Sequence, residues 1–377
     1  MSAHCQQSFR QRLRSGLAAL ESKELEGQAT YALRVAIESL QDGRSIQLAF
    51  QDVLNGLESC SRPAIRSRLY LARCTLEAHG LSVGLASGAS HAVSALCQYI
   101  RQLRAPSLPE VATFARSLMD CLLPALAEHA VNYTAVADPF WSAAGVYDTI
   151  MKPLAMLACR ATERAAMSAA TLVLDQVLAA CCSWQHVRDV VAAVRALLGQ
   201  LLGLLPSSGP LDRYAGGVFT VLQRCVEVLG ISLDPAALQR LLALGSAGLL
   251  APDWQMRLAA VEAVTGIIAA LQVADPLADQ DGSCTILVVT PALTALLQCK
   301  AQLIGSLVAL RHDSVACVRK AATAAVAAAS ALPDVEGAQH SYAPSGTALA
   351  FPDWAQARPF LKAFQVVFQP LLNICCA

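Results

Sequence analysis

Residues 253–271, DWQMRLAAVEAVTGIIAAL, and residues 313–329, DSVACVRKAATAAVAAA, share one layout, and that layout constrains the fold more than any other feature of the chain. In the first, Trp254, Leu258, Val261, Val264, Ile268 and Leu271 step by 4, 3, 3, 4 and 3 residues. That stride puts them on one face of an α-helix. Pro252 suits the approach to the helix, and Asp253 can accept the orphan N–H groups of its first turn. In the second, Asp313 takes the capping place, and Val315, Val318, Ala322, Ala325 and Ala329 form the stripe. Its small residues let neighbouring helices come close. Each stretch follows another apolar helical run, PAALQRLLALGSAGLL and PALTALLQCKAQLIGSLVAL, across a short polar turn.

A helical hairpin repeated at this interval predicts an array. Seven candidate pairs emerge, with turns near residues 22–26, 58–63, 105–108, 159–162, 205–210, 249–252 and 311–313. Their typical spacing of about 45 residues falls in the range of HEAT and armadillo units. One hairpin cannot bury its apolar face alone, whereas stacked hairpins bury a continuous core. The expected fold is therefore all-α, an α-solenoid of about seven HEAT-like hairpins over residues 1–332. Residues 333–352 read as a linker or loop, and residues 353–377 as a C-terminal helix that begins a truncated further repeat or belongs to a longer chain. CTILVVTP, from Cys284, is the one β-like run, and it follows an acidic insertion, so it is expected to lead into the next helix or lie extended. GLSVGLASGAS, after His79, reads as a Gly-rich loop between helices.

The composition agrees. The chain is 55% hydrophobic and only 5% aromatic, so Ala, Leu and Val supply the core. A formal net charge of zero argues against a nucleic-acid binder. The polar and basic opening reads as no secretory leader, and the fourteen cysteines show no metal-ligand spacing. They are expected to be reduced core residues of an intracellular protein. No stretch reaches the ~20 unbroken apolar residues of a membrane helix, so no membrane insertion is expected. The sequence lacks a P-loop, a Gly-rich dinucleotide fingerprint, a nucleophile elbow and a zinc-protease motif. The expectation is a protein that is not an enzyme, with no catalytic residue, cofactor or metal.

The turns carry more signal. Lys23, Arg62, Arg160, Arg311 and His312 lie at or beside them, and Arg257, Arg319 and Lys320 lie in the first turns of the helices that follow. If the turns share one edge, these cations make a broken basic row suited to an acidic partner. Trp254 fits either the core stripe or, if exposed, an apolar anchor on that edge. Arg319 follows Asp313 by six residues, a pairing that HEAT units use as a ladder between neighbours.

DWQMRLAAVEAVTGIIAAL resembles the DWxxRxAAxDxLxxLA-type segment of the TORTIFOLIA/SPIRAL family of plant microtubule-associated HEAT proteins. LTALLQCKAQLIGSLVALRHDSVACVRKAATAAV is similar to that family's next unit. FRQRLRSGLAALESKELEGQATYALRVAIESL, RPAIRSRLYLARCTLEAHG and IMKPLAMLACRATERAAMSAATLVLDQVL resemble its first, second and central units, so the likeness spans most of residues 6–331. The resemblance implies a TOG-like array that binds tubulin or microtubules through its turns, located in the cytoplasm on the microtubule cytoskeleton. The expected partner-binding residues are Lys23, Arg62, Arg160, Trp254, Arg257, Arg311 and Lys320. The alternative is a general HEAT adaptor that takes peptides or helices of other proteins in its concave groove.

Overall fold

The structure is a computed structural model, and it describes residues 3–80, 85–104, 108–131, 142–205, 217–272 and 290–332. All of these belong to one compact unit, Met1–Leu332. The expectations for residues 333–352 and 353–377, for CTILVV before Thr290, and for most of the turn near 205–210 lie outside the described residues.

The described residues are helical, with no strand among them. The helices are α1 (Ala3–Ala19), α2 (Glu26–Glu38), α3 (Gly43–Leu54), α4 (Arg62–His79), α5 (Leu85–Arg101), α6 (Pro109–Val131), α7 (Ala143–Val146), α8 (Lys152–Arg160), α9 (Arg164–Cys181), α10 (Arg188–Leu204), α11 (Gly217–Leu229), α12 (Pro235–Leu249), α13 (Trp254–Leu271), α14 (Pro291–Leu310) and α15 (Ala316–Ser330). Contacts arrange them in two rows. In one, α1, α3, α5, α8, α10, α12 and α14 each touch the next; in the other, α2, α4, α6, α9, α11, α13 and α15 do the same. Each helix of the first row also packs on the helix that follows it in the second. Short connections make these neighbours antiparallel; only Ala161–Glu163 separate α8 from α9.

The core lies between the rows. In α13, Val261, Val264, Ile268 and Leu271 of the expected stripe are buried, and so are Met256, Ala260, Ala263 and Ile267. The buried face is wider than one stripe because α13 is held by α11, α12 and α15 at once. In α15, Val318, Ala322, Ala325 and Ala329 are buried as expected. Each large aliphatic side chain so buried contributes roughly 1.5–3 kcal/mol of transfer free energy. Close approach matters most at Gly248, where an added Cβ would stand 2.6 Å from Phe219 Cζ and 2.8 Å from Ala260 Cβ.

Helix starts follow local chemistry. The carboxylates of Asp42, Asp234 and Asp253 accept from the N–H groups of Ser45, Ala237 and Gln255. Thr290 caps α14 through Leu293 N, with Pro291 as the first helical residue. Gly80 ends α4 at φ +54°, a backbone region that side chains disfavour. Between α7 and α8 the chain makes a π turn, Tyr147–Met151, just before Pro153. Proline has no N–H and crowds the carbonyl four residues back, and the wider turn relieves that conflict.

One expectation needs correction. The Gly-rich LASGAS is no loop: Leu85–Ser90 form the opening of α5, where Ala89 is buried in the core. Three helices, Arg164–Trp184, Trp254–Leu271 and Pro291–Leu310, are long and apolar enough to cross a membrane by length and composition. Polar residues interrupt each of them, so none is an unbroken apolar run of ~20 residues. In this fold all three pack against neighbouring helices.

Candidate docking edge

The connections that join each first-row helix to its second-row partner include residues 20–25, 55–61, 102–108, 161–163, 250–253 and 311–315. Polar contacts tie them to one another. Glu21 accepts from the N–H of Ser61 at 3.1 Å, and Glu26 from the hydroxyl of Ser67 at 2.8 Å. Arg66 meets Glu110 at 3.1 Å, and Arg104 meets Glu163 at 3.4 Å. Arg257 meets Asp313 at 2.7 Å. Every one of these contacts joins a bend, or the first turns of the helix after it, to the next bend in chain order or the first turns of the helix that follows that bend. The bends of these neighbouring pairs therefore lie beside each other.

One contact departs from that order. Arg164 of α9 stands 3.8 Å from Asp253 of α13, across the intervening α11. The start of α11 explains the reach: Gly217 lies against Thr171, about two turns into α9, so the first turns of α9 extend beyond it.

The Arg257–Asp313 pair is the most covered of the ion pairs, with side-chain exposures of 15% and 5%. The guanidinium donates from Nε and Nη2 to the two carboxylate oxygens, and from Nη1 to the carbonyls of Ala251 and Pro252. Asp313 Oδ1 also accepts from the N–H of Val315 at 2.8 Å. The Arg257 hydrogen bonds, followed by that of Val315, hold the Asp313 carboxyl below the usual range. Asp313 is therefore not the N-cap expected from the sequence: Val315 holds that position, and Asp313, two residues earlier, accepts from its N–H because the carboxylate is turned toward Arg257. The ladder partner expected for Asp313 was Arg319, but Arg319 donates to the backbone carbonyls of Asp313 and Ser314. A guanidinium arriving from 56 residues upstream takes the carboxylate instead.

The sequence-derived cations divide by this network. Lys23, Arg160, Arg311 and Lys320 are exposed and form no ion pair or hydrogen bond among the described residues. Arg62, the first residue of α4, is exposed but engaged with neighbours. Arg257 is not a surface cation open to a partner, because its donors are directed into the fold. Trp254 is 40% exposed: as the first residue of α13 it projects past the end of the core that its stripe enters. Beside it Leu250 is 83% exposed, a large apolar residue at a bend that the periodicity argument passed over as the end of α12. Arg101, at the end of α5, also has no partner among the described residues.

Among the described residues no three His, Cys, Asp or Glu side chains are grouped to hold a metal ion. Burial raises the thiols of Cys97 and Cys159 to about 11 and that of Cys181 to about 12, so they stay protonated at neutral pH. No protein-family model matches the chain, and no curated protein matches it.

Proposed function

We propose that the two rows form an α-solenoid of about seven HEAT-like hairpins, and that the chain is a non-enzymatic scaffold which binds tubulin or microtubules along its edge of bends. One observation supports the reading: the Arg257–Asp313 contact brings the bend of exposed Leu250 and Trp254 beside the bend of Arg311, which together with exposed Lys320 of α15 has no side-chain partner among the described residues. An apolar anchor flanked by cations suits an acidic protein surface, because the cations orient the partner and the anchor slows its release. With a net charge of zero, attraction arises from this local row alone and is screened over ~8 Å at physiological salt.

Co-sedimentation of the full chain with microtubules at low and high salt tests the proposal. Pelleting at low salt, reduced at high salt and reduced again by Leu250→Ser with Trp254→Ser, supports it. No pelleting at low salt overturns the tubulin assignment.

A further inference from the structure

Along the edge of bends, four arginines meet a carboxylate of another pair: Arg66 with Glu110, Arg104 with Glu163, Arg164 with Asp253, Arg257 with Asp313. Arg101 and Arg160, like Arg311, do not. Arg101 and Arg160 line one groove of about 340 Å³ between the end of α5 and the α8–α9 bend, and neither has an ion-pair or hydrogen-bond partner among the described residues. Two guanidinium groups on one groove repel each other unless an anion lies between them. Each alone would neutralise the C-terminal dipole of its own helix, Arg101 in the last turn of α5 and Arg160 in the last turn of α8. Dipole neutralisation gives no reason for them to share a groove.

The other walls narrow the ligand. Met156 is half-buried and gives the groove apolar surface; Leu157 and Ala166 lie buried behind it, and Thr162 adds a polar side chain. Glu163 also lines the groove, and its charge is met from outside by Arg104. α9 begins here without a side-chain cap, which leaves first-turn N–H groups pointing toward the bend. The site therefore offers two unpaired arginines beside the apolar surface of Met156, with its own carboxylate, Glu163, engaged by Arg104. A bare inorganic anion would use the arginines and leave the apolar surface wet. A carboxylate next to an apolar side chain on an extended peptide would use both.

We propose that this groove binds an acidic peptide segment of a partner protein, with its carboxylates held by Arg101 and Arg160 and an adjacent apolar side chain against Met156. The proposal rests on the reading of this edge as the docking edge and names the chemistry recognised at one place along it.

The test is fluorescence anisotropy of the full chain with a short labelled peptide of Glu and Leu, at low salt. A Gln-and-Leu peptide serves as the neutral control. Saturable binding of the acidic peptide is expected, weakened about tenfold by Arg101→Gln and by Arg160→Gln, the loss of one charge-assisted contact. Arg188→Gln, an exposed arginine at the start of α10 with the same change of charge, is expected to leave binding within about twofold. Equal weakening by Arg188→Gln, equal binding of the neutral peptide, or no saturable binding overturns the proposal. Peptide binding without microtubule pelleting sinks the tubulin assignment and leaves the groove. Pelleting without peptide binding does the reverse.

Discussion

Removing the Asp313 carboxylate tests how far adjacent bends hold one another. Asp313→Ala takes from Arg257 its two carboxylate bonds, leaving it the carbonyls of Ala251 and Pro252, and takes from Val315 N–H its acceptor. An exposed ion pair is worth ~0–1 kcal/mol, and breaking a buried one costs ~3–5 kcal/mol. This pair is covered, yet the carboxylate is screened mainly by its own guanidinium and the bend, with little protein mass around it. An intermediate cost of about 2–3 kcal/mol is expected, of which about 1 is the lost N–H acceptor. Urea unfolding followed by circular dichroism measures the total, and amide exchange in the first turn of α15 localises it. A double-mutant cycle with Arg257→Gln should give a coupling of at least about 1 kcal/mol. The pH dependence has a fixed sign. Because the folded carboxyl is held below its usual value, the unfolded chain binds protons more readily. The contribution is complete above about pH 4, the ordinary carboxylate value, and is lost as pH falls through the lowered folded value. A total cost under about 0.5 kcal/mol, or no coupling in the cycle, would refute the reasoning.

Other outcomes follow from packing and burial. Gly248→Ala forces a Cβ against Phe219 and Ala260 and should destabilise by roughly 1–3 kcal/mol. Gly199→Ala, exposed in the middle of α10 with nothing within 4 Å of the new methyl, should stabilise by about 0.5–1 kcal/mol; opposite shifts in thermal midpoint check the pair. A thiol reagent should label exposed Cys317 in the native protein at once. Cys181 and Cys225, whose thiols burial pushes up, should react only on unfolding, as peptide mapping by mass spectrometry would record. Truncating Trp254 to Ala should cost roughly 1–3 kcal/mol, less than a fully buried tryptophan would, because more than half of the residue is covered and the rest is already in water.

The sequence alone determined the all-helical class and most of the described turns. Those are local matters: a 3.6-residue stride of Val, Leu and Ala, an Asp at position 253, a Pro at 291, each acting within a turn or two of itself. LASGAS was misread because glycine and serine weigh against a helix locally, and only the burial of Ala89 shows what overrides them. Trp254 was undecided for a related reason: a stripe gives the angle of a side chain around the helix but not whether the core extends as far as its end. Which cation meets which anion was beyond the sequence altogether. Arg257 and Asp313 lie 56 residues apart, and Arg66 and Glu110, or Arg104 and Glu163, are likewise brought together by the stacking of separate helix pairs. Tertiary packing therefore decided which charges on the edge of bends are consumed inside the fold and which, like Arg101 and Arg160, are left facing a groove. A Coulomb interaction depends on distance in space, and only the folded chain sets that distance.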